Sequence, residues 1–523
     1  MTSVDAITRE VLGLQSLLGR VRPRSEAGLR QWEQLPTRGF MKPARRRQAI
    51  DRLRRLDDVL HPSMIDAISD DLGALPTLER PFRRLDAQRT LLDADFFALK
   101  RFFYQSLGIL ETVDGLDGLP AADSEVCQML RRAMETIHPE NAHSARFHLA
   151  DELDEELAAC RDELRDIRRQ IKEKRRHMEA RILEQWDGKF DIHGRFHPTD
   201  AQEIDDERLR RHKDHYELST EELDILQERR QQLADEVTSL ERHQRERLTR
   251  FVNGARQEID DLNQQLVAFD LAIARVELRR QLGGCWPRFV DGDEGWLQIT
   301  AGREPGLMET LGAQGVQSVD LNLDRRGTVV TGPNMGGKSV LLRLIGVVQW
   351  CAQLGLPVPG NECALVDVHH VVYIGSEQPG SSEDTEGLSS FGREVRRFVD
   401  HWDAEGPVLW LLDEPGRGTH PDEGAMLAEE IAQKLVTRGD YVVMATHFPH
   451  LAASDGFTHL QIAGLDVDDA TLEEELTRAK QGTATLQQVL RRFMDYRVVE
   501  VEEGGGQVPR DARRVARALG LRL

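Results

Sequence analysis

The run TGPNMGGKS occupies Thr331–Ser339, directly after GTVV (327–330) and before the apolar VLLRLIGVV. Gly332, Gly337, Lys338 and Ser339 satisfy GxxxxGK[ST] between a strand-like and a helix-like segment, the context in which this spacing forms a phosphate cradle. Glycines let backbone N–H groups close on phosphate oxygens, and the positive end of the helix dipole adds to their pull. Lys338 is expected to reach the β- and γ-phosphates of a nucleotide, and the Ser339 hydroxyl to ligate Mg²⁺. The order strand, loop, helix makes the surrounding chain α/β.

Outward from the loop, β-rich runs recur at HHVVYIG (369–375), PVLWLLDE (407–414) and DYVVMATH (440–447), separated by helix-length segments. This is the pattern of a parallel sheet with crossover helices. The apolar run ending in Asp413 and Glu414 is a Walker B arrangement. One carboxylate goes to the magnesium shell through water, and the second is the general base for the attacking water. His447 ends the next strand, at the carboxyl edge where open α/β sheets hold ligands, and is expected to sense the γ-phosphate. Residues 286–523 therefore read as an α/β P-loop ATPase domain using ATP and Mg²⁺, with Glu414 and His447 as its catalytic residues.

Upstream the pattern is helical. Residues 1–148 form an expected all-α core of helices interrupted by prolines, such as RQAIDRLRRLDDVL before Pro62. From 149 to 285 a coiled-coil periodicity takes over. Its first seam is Leu149, Leu153, Leu157, Cys160, Leu164, Ile167, Ile171, Met178 and Ile182, broken only by Lys174. A second seam runs through Leu223, Leu226, Leu233, Val237, Leu240, Leu248, Phe251, Ile259, Leu262, Leu266, Phe269 and Ile273, with no proline between Tyr216 and Trp286. At about 1.5 Å per residue these stretches reach roughly 60 and 100 Å. Gly188, Gly194 and Pro198 interrupt them, so a long antiparallel helical arm with a tip near 187–215 is expected, in preference to one extended intermolecular helix.

The net charge of -21 and pI near 5.3 exclude a surface that is basic everywhere, so any nucleic-acid contact must be local. The local candidate is 161–181, with nine Arg/Lys against five Asp/Glu, although such runs are more often solvated helix faces. The five cysteines are odd in number and show no CxxC spacing, which fits a reducing cytoplasm. Neither a cleavable signal nor a run of 18 uncharged apolar residues occurs in the sequence, so no membrane role is expected.

Taken in order, TGPNMGGKS, SSF, LLDEPGRGT and ATHFPHL resemble the MutS family of ATPases, relatives of the ABC-type ATPases that work as nucleotide-sandwich dimers. The likeness runs from about Leu321 to His450, with an echo in PRDARRVARALGL (509–521), while the helical block and arm resemble the family's core, lever and clamp. The resemblance implies that Gly332, Pro333, Asn334, Met335, Gly336 and Gly337 form the phosphate loop. It implies that Ser389, with Phe391, completes the ATP site of a partner subunit in trans, and that Gly416, Arg417, Gly418 and Thr419 link the two sites. The expected species is a homodimer, or a dimer with a related subunit, whose heads close on ATP and move the arms on DNA.

This chain also departs from the family. No Phe-x-Glu mismatch wedge occurs in it, and only some 140 residues precede the arm, so mismatch sensing by that route is not expected. The sequence ends at ARALGLRL, so the branch with a C-terminal Smr nuclease domain is expected to be a poor match. Val340, Pro415 and the pair Val316 and Gln317 replace, respectively, a threonine, an isoleucine and an aromatic adenine contact usual in the family. Two functions follow from the resemblance. One is a DNA repair or recombination ATPase whose arms hold DNA through its phosphates. The alternative is a reactivating ATPase for an adenosylcobalamin-dependent lysine or ornithine aminomutase, which DEPGRGT and the terminal PxxAxxVAxxLGL segment resemble.

Overall fold

The computed structural model describes residues 4–139, 147, 149–200, 203–291, 295–312, 315–333, 336–375, 389–447, 456–480, 493–501, 514 and 516. The chain opens with helices α1 (Ala6–Val11), α2 (Leu14–Gly19), α3 (Glu26–Glu33), α4 (Pro43–Val59), α5 (Pro62–Ala74), α6 (Glu79–Asp86), α7 (Asp93–Val113), α8 (Glu125–Ile137) and α9 (Glu155–Gln185). Four short strands, β1 (Gly188–Phe190), β2 (Arg195–Pro198), β3 (Leu209–Arg211) and β4 (Tyr216–Leu218), lead to α10 (Glu221–Gly254) and α11 (Arg256–Leu282). The rest alternates: β5 (Arg288–Phe289), β6 (Leu297–Gly302), α12 (Pro305–Leu311), β7 (Val319–Leu323), β8 (Gly327–Thr331), α13 (Lys338–Gln353), β9 (Glu362–Leu365) and β10 (His370–Gly375). Then come α14 (Ser390–Trp402), β11 (Val408–Asp413), α15 (Pro421–Arg438), β12 (Tyr441–Ala445), β13 (Phe457–Leu465), α16 (Asp469–Lys480) and β14 (Met494–Glu500). Among the described residues no helix is long and apolar enough to cross a membrane. Two compact units result, Met1–Ile65 with Val267–Leu523, and Asp66–Leu266, with boundaries inside α5 and α11.

The first unit is built on a six-stranded sheet in the order β10-β11-β12-β8-β13-β14, parallel except for β14. Its central strands are buried along almost their whole length, as expected where helices cover both faces of a sheet. Alternation assigns the side chains. Leu409, Leu411 and Val443 pack with Leu341, Leu342 and Ile345 of α13 on one face. Trp410, Leu412, Val442 and Met444 meet Ala428, Ala432 and Leu435 of α15 on the other. A second sheet of four strands, β5-β9-β6-β7, adjoins in the same unit.

The N-terminal helices belong to this unit, which their place at the other end of the sequence does not suggest. Val4 bridges to Val371, and the Tyr373 N–H donates to the Thr8 hydroxyl at 3.0 Å. A Cβ added at Gly346 would lie 2.6 Å from Leu12 and 2.7 Å from Leu411, so only glycine lets α13 pass between these two leucines. Arg397 bonds the Asp5 carboxylate at 3.2 Å and the Tyr373 carbonyl at 2.7 Å. Burial acts on Asp5 first and opposes its ionisation, but Arg397 and Thr8 outweigh it and hold the carboxyl below its usual range.

In the second unit α9 and α10 lie antiparallel, since Arg161 pairs with Glu241 at 2.8 Å while Lys174 pairs with Glu222. Asp154 caps α9 by accepting from the Glu156 and Leu157 N–H groups, and Thr220 caps α10. Leu157, Cys160, Leu164, Ile167, Ile171, Met178 and Ile182 are all buried in the seam. Complete burial of each leucine or isoleucine contributes roughly 2 kcal/mol. Two details of the sequence reading are corrected here. Phe251 is exposed and Val252 points inward, because four residues after Leu248, not three, is the position that returns to the seam. The second long helix is two, divided at Gly254 and Ala255, where glycine is a poor helix former. The tip is a four-stranded antiparallel sheet, β1-β2-β4-β3, whose Phe196 and Tyr216 extend the core of the seam.

Candidate functional site

Sheet register assembles the site. Gly375, Asp413 and Ala445 are cross-strand partners at the carboxyl ends of β10, β11 and β12, and Ala445 in turn pairs with Val330 of β8. The loop after β8, the carboxylates after β11 and His447 after β12 therefore emerge at one edge, where open α/β sheets hold ligands. Gly337 caps α13 with φ of 91° and no side-chain bond, so the first N–H groups of the helix face the loop without a capping side chain. A positive φ at this position favours glycine, and an added Cβ would also stand 3.2 Å from the Tyr496 ring.

Lys338 is buried. Its Nζ donates to the carbonyls of Gly332 at 3.0 Å and Pro333 at 3.3 Å, and stands 3.9 Å from Glu414 Oε1. Burial pushes its pKa down, against the opposing pull of Glu414 and Asp413. Gly337 and half-buried Ser339 flank it and Gly336 is buried, while Asn334 and Met335 lie outside the described residues.

Glu414 has φ of 53°, a left-handed conformation that a non-glycine residue adopts at a cost of order 1–3 kcal/mol. Its N–H donates to the Ala445 carbonyl at 2.9 Å, which holds this turn to the end of β12. One carboxylate oxygen meets His447 Nε2 at 2.5 Å, and the other accepts from Arg417 at 2.9 Å. The His447 bond is the main cause of a lowered Glu414 pKa, with burial opposing and the charges of His447, Lys338 and Arg417 assisting. The Asp413 carboxylate accepts from the Tyr373 hydroxyl at 2.7 Å.

The turn after Glu414 is held from α14. The Gly416 N–H donates to Glu394 at 2.8 Å, and burial raises the pKa of that carboxyl. Gly416 and Thr419 close the turn with a backbone bond of 3.3 Å, and Gly418 lies close against Ser390 and Phe391. Ser389 is exposed and caps α14, its hydroxyl accepting from the Gly392 N–H at 3.0 Å. The chain does not bring Ser389 to its own Lys338 by any hydrogen bond among the described residues.

Beside the loop opens a cavity of about 720 Å³, lined by Gly337, Val340, Leu344, Ile462, Val316 and Tyr496 among others. That is the size of a small-ligand pocket. The sequence reading found no aromatic at Val316 and Gln317. An aromatic does line the cavity from another strand: Tyr496 of β14, whose N–H donates to Gln317 at 3.0 Å. His459 was also missed; it meets the Thr331 hydroxyl at 2.7 Å from the neighbouring strand β13, and burial lowers its pKa. Glu394 and Tyr373 were likewise invisible, being ordinary residues of a helix and a strand whose significance lies in what they touch.

Residues 328–491 match the family MutS domain V. Similar proteins include those named Endonuclease MutS2 from Solidesulfovibrio magneticus, 36% identical over 230 residues, and Geobacillus kaustophilus, 34% identical over 245 residues. A third, from Symbiobacterium thermophilum, is 35% identical over 206 residues. These matches cover 43%, 45% and 39% of this chain, and 29%, 30% and 25% of the respective relatives. The chain thus spans less than a third of the length of the relatives it matches. The likeness to the MutS family is thus carried by residues 328–491, which are similar to its domain V.

Proposed function

We propose that the chain is a MutS-type ATPase that binds ATP with Mg²⁺ at this edge, closes as a nucleotide-sandwich dimer, and uses its helical arm on DNA. The observation that carries it is the meeting of Lys338, Asp413, Glu414 and His447 at the carboxyl edge of the sheet, beside a cavity with room for a nucleoside. The residues fit the ligand: the N-terminus of α13, without a side-chain cap, offers N–H groups, among the described residues Lys338 holds two backbone carbonyls and a distant carboxylate, and two carboxylates converge opposite it. ATP supplies the transferable phosphoryl group and magnesium offsets the charge of its phosphates. Gly332, Pro333, Asn334, Met335, Gly336 and Gly337 would wrap the phosphates, with Ser339 and Asp413 on the metal side. Glu414, kept ionised by His447, takes the proton of the attacking water. Tyr496 offers a flat apolar face to the base.

Ser389 fits a role in a partner's site, being exposed at the start of α14 and coupled through that helix to the turn after Glu414. The arm (149–285) and the part of the helical core (1–148) beyond Ile65 are then the output of the ATPase (286–523), with α5 and α11, inside which the unit boundaries fall, as the connecting elements. The arm's basic stretch is partly neutralised, since Arg161, Arg165, Arg169 and Lys174 pair with carboxylates. Contact with DNA would therefore be weak and strongly dependent on salt. The names of the matched relatives favour DNA over an aminomutase client.

A Glu414→Gln variant tests the switch. It should bind ATP, hydrolyse it about 10²–10⁴ times more slowly, and accumulate as a dimer detectable by light scattering. A variant that remains monomeric at saturating ATP would defeat the sandwich. Turnover of the native protein is expected to rise with duplex or branched DNA at low salt. Indifference to both at every salt concentration, with stimulation by an aminomutase, would replace DNA by the protein client.

A further inference from the structure

Away from the nucleotide site, one group of ligating side chains converges among the described residues: His212, His215 and Glu217, at the tip of the arm. One donor atom from each lies within 4.8 Å of the other two. Strand geometry explains the placement. β3 and β4 pair Arg211 with Tyr216, and the His212 N–H donates to the His215 carbonyl at 2.8 Å, so a two-residue turn, Lys213 and Asp214, separates the histidines. Opposed residues of an antiparallel pair share a face, and so do residues two apart on a strand. All three side chains therefore leave the hairpin on the same side.

Their contacts are those of a ligand set. The two imidazoles stack with centroids 4.9 Å apart and planes 4° from parallel. Glu217 spans them, with Oε1 3.4 Å from His215 Nε2 and Oε2 3.5 Å from His212 Nε2. The other nitrogen of His215, Nδ1, lies 2.9 Å from the Asp214 carboxylate. A ring N–H given to a carboxylate leaves the lone pair on Nε2, which is how metal-binding imidazoles are oriented. The two Nε2 atoms and the Glu217 carboxylate thus face one common point, within reach of a single cation. The competitor is Arg195, whose Nε reaches Glu217 only at 4.0 Å. His197 of β2, with its ring centroid 6.0 Å from that of His215 and its Nε2 3.3 Å from Asp191, borders the site.

We propose that His212, His215 and Glu217 bind one divalent ion of the zinc class, with the remaining coordination position open to water. Two imidazoles and one carboxylate suit Zn²⁺ and its neighbours in the transition series, whereas Mg²⁺ and Ca²⁺ take oxygen ligands. Asp214 is a positioning residue that orients His215. The ion would tie together the turn end of the β3–β4 hairpin. It would also give the end of the arm one exchangeable ligand position.

The test is titration of the full chain with Co²⁺, with Mg²⁺ in excess to occupy oxygen-only sites, read by visible absorption and then by displacement with Zn²⁺. One Co²⁺ per chain is expected, with the intense visible bands of four-coordination. The His212→Gln/His215→Gln double variant should abolish this signal, and Asp214→Asn should weaken binding about 10–100-fold. The signal should persist in His447→Gln, which separates the tip from the nucleotide site. Absence of Co²⁺ uptake at micromolar metal, or uptake that the double variant retains, overturns the proposal. If circular dichroism shows the double variant misfolded, Glu217→Gln decides: undiminished affinity in that variant overturns it, and a tenfold or greater loss upholds it.

Discussion

The Glu414 carboxylate and the His447 imidazole meet at 2.5 Å across the ends of two neighbouring parallel strands. The bond favours the ionised carboxylate, so the Glu414 pKa lies below its ordinary value. A general base works only when ionised, so turnover should fall as pH drops through that lowered pKa, on the acid side of the usual glutamate range. His447→Ala removes the largest cause of the shift. The acid limb of the rate profile should then move to higher pH, toward or above about 4.3, the free glutamate value. The same sign applies to stability: the contribution of this pair is complete above the unfolded pKa and is lost as pH falls through the folded one. ATPase rates and thermal midpoints measured across the acid range would check both. An acid limb that His447→Ala leaves in place would show that the bond does not tune the base.

Tyr373 and Asp413 make the second testable contact, a hydroxyl donor at 2.7 Å on the carboxylate expected to serve magnesium. Tyr373 is anchored at its backbone by Thr8 and Arg397, so the ring is held from both ends. Tyr373→Phe keeps the buried ring and deletes only the bond. Mg²⁺ half-saturation of ATP hydrolysis should weaken about 10–100-fold, as for other partners that orient metal ligands. ATP binding without metal should change little, and equal loss in both measurements would mean that the tyrosine is structural only.

Tyr496 is expected to carry part of the base affinity. Tyr496→Ala should raise the KM for ATP with a smaller effect on kcat, since a stacking contact is made equally in ground and transition states. Loss of an aromatic stack on a base costs about 1–3 kcal/mol, or roughly 5–150-fold in binding. Tyr496→Phe should restore most of it, because the face is retained. A KM indifferent to both changes would move the base out of this cavity.

These residues show which parts of the molecule the sequence discloses. Contiguous motifs and regular periods are readable: TGPNMGGKS, the five-residue apolar runs of β11 and β12, and the inward positions of α9 all follow from local spacing. Contacts between distant segments have no such signature. Thr8 reaches β10 and Asp5 reaches α14, each across more than 360 residues, and Tyr496 comes to the loop from β14 only because that strand closes the sheet. The tip sheet escaped for another reason, since strands of three and four residues are too short to display a period of two. That His212 and His215 share a face is known only once the hairpin register is.

Lys338 yields a prediction about alkaline pH. Burial disfavours its charge, so without nucleotide it gives up its proton below the usual lysine range. In the unliganded protein the unfolded chain holds more protons in that window, so this group's cost to stability is relieved as pH rises through it. Phosphates favour the charged amine, so ATP binding restores the proton, and affinity should fall by up to about tenfold per pH unit above the free-protein pKa. Lys338→Arg keeps its charge at every accessible pH. Its larger guanidinium must enter a buried loop, so binding at neutral pH should weaken, but the alkaline decline should disappear. Calorimetric titration of ATP without hydrolysis, in buffers of different ionisation enthalpy, reads both the affinity and the proton taken up. An affinity as flat with pH in the native protein as in Lys338→Arg, with no proton uptake, would place a charged and solvated lysine in the loop before nucleotide arrives.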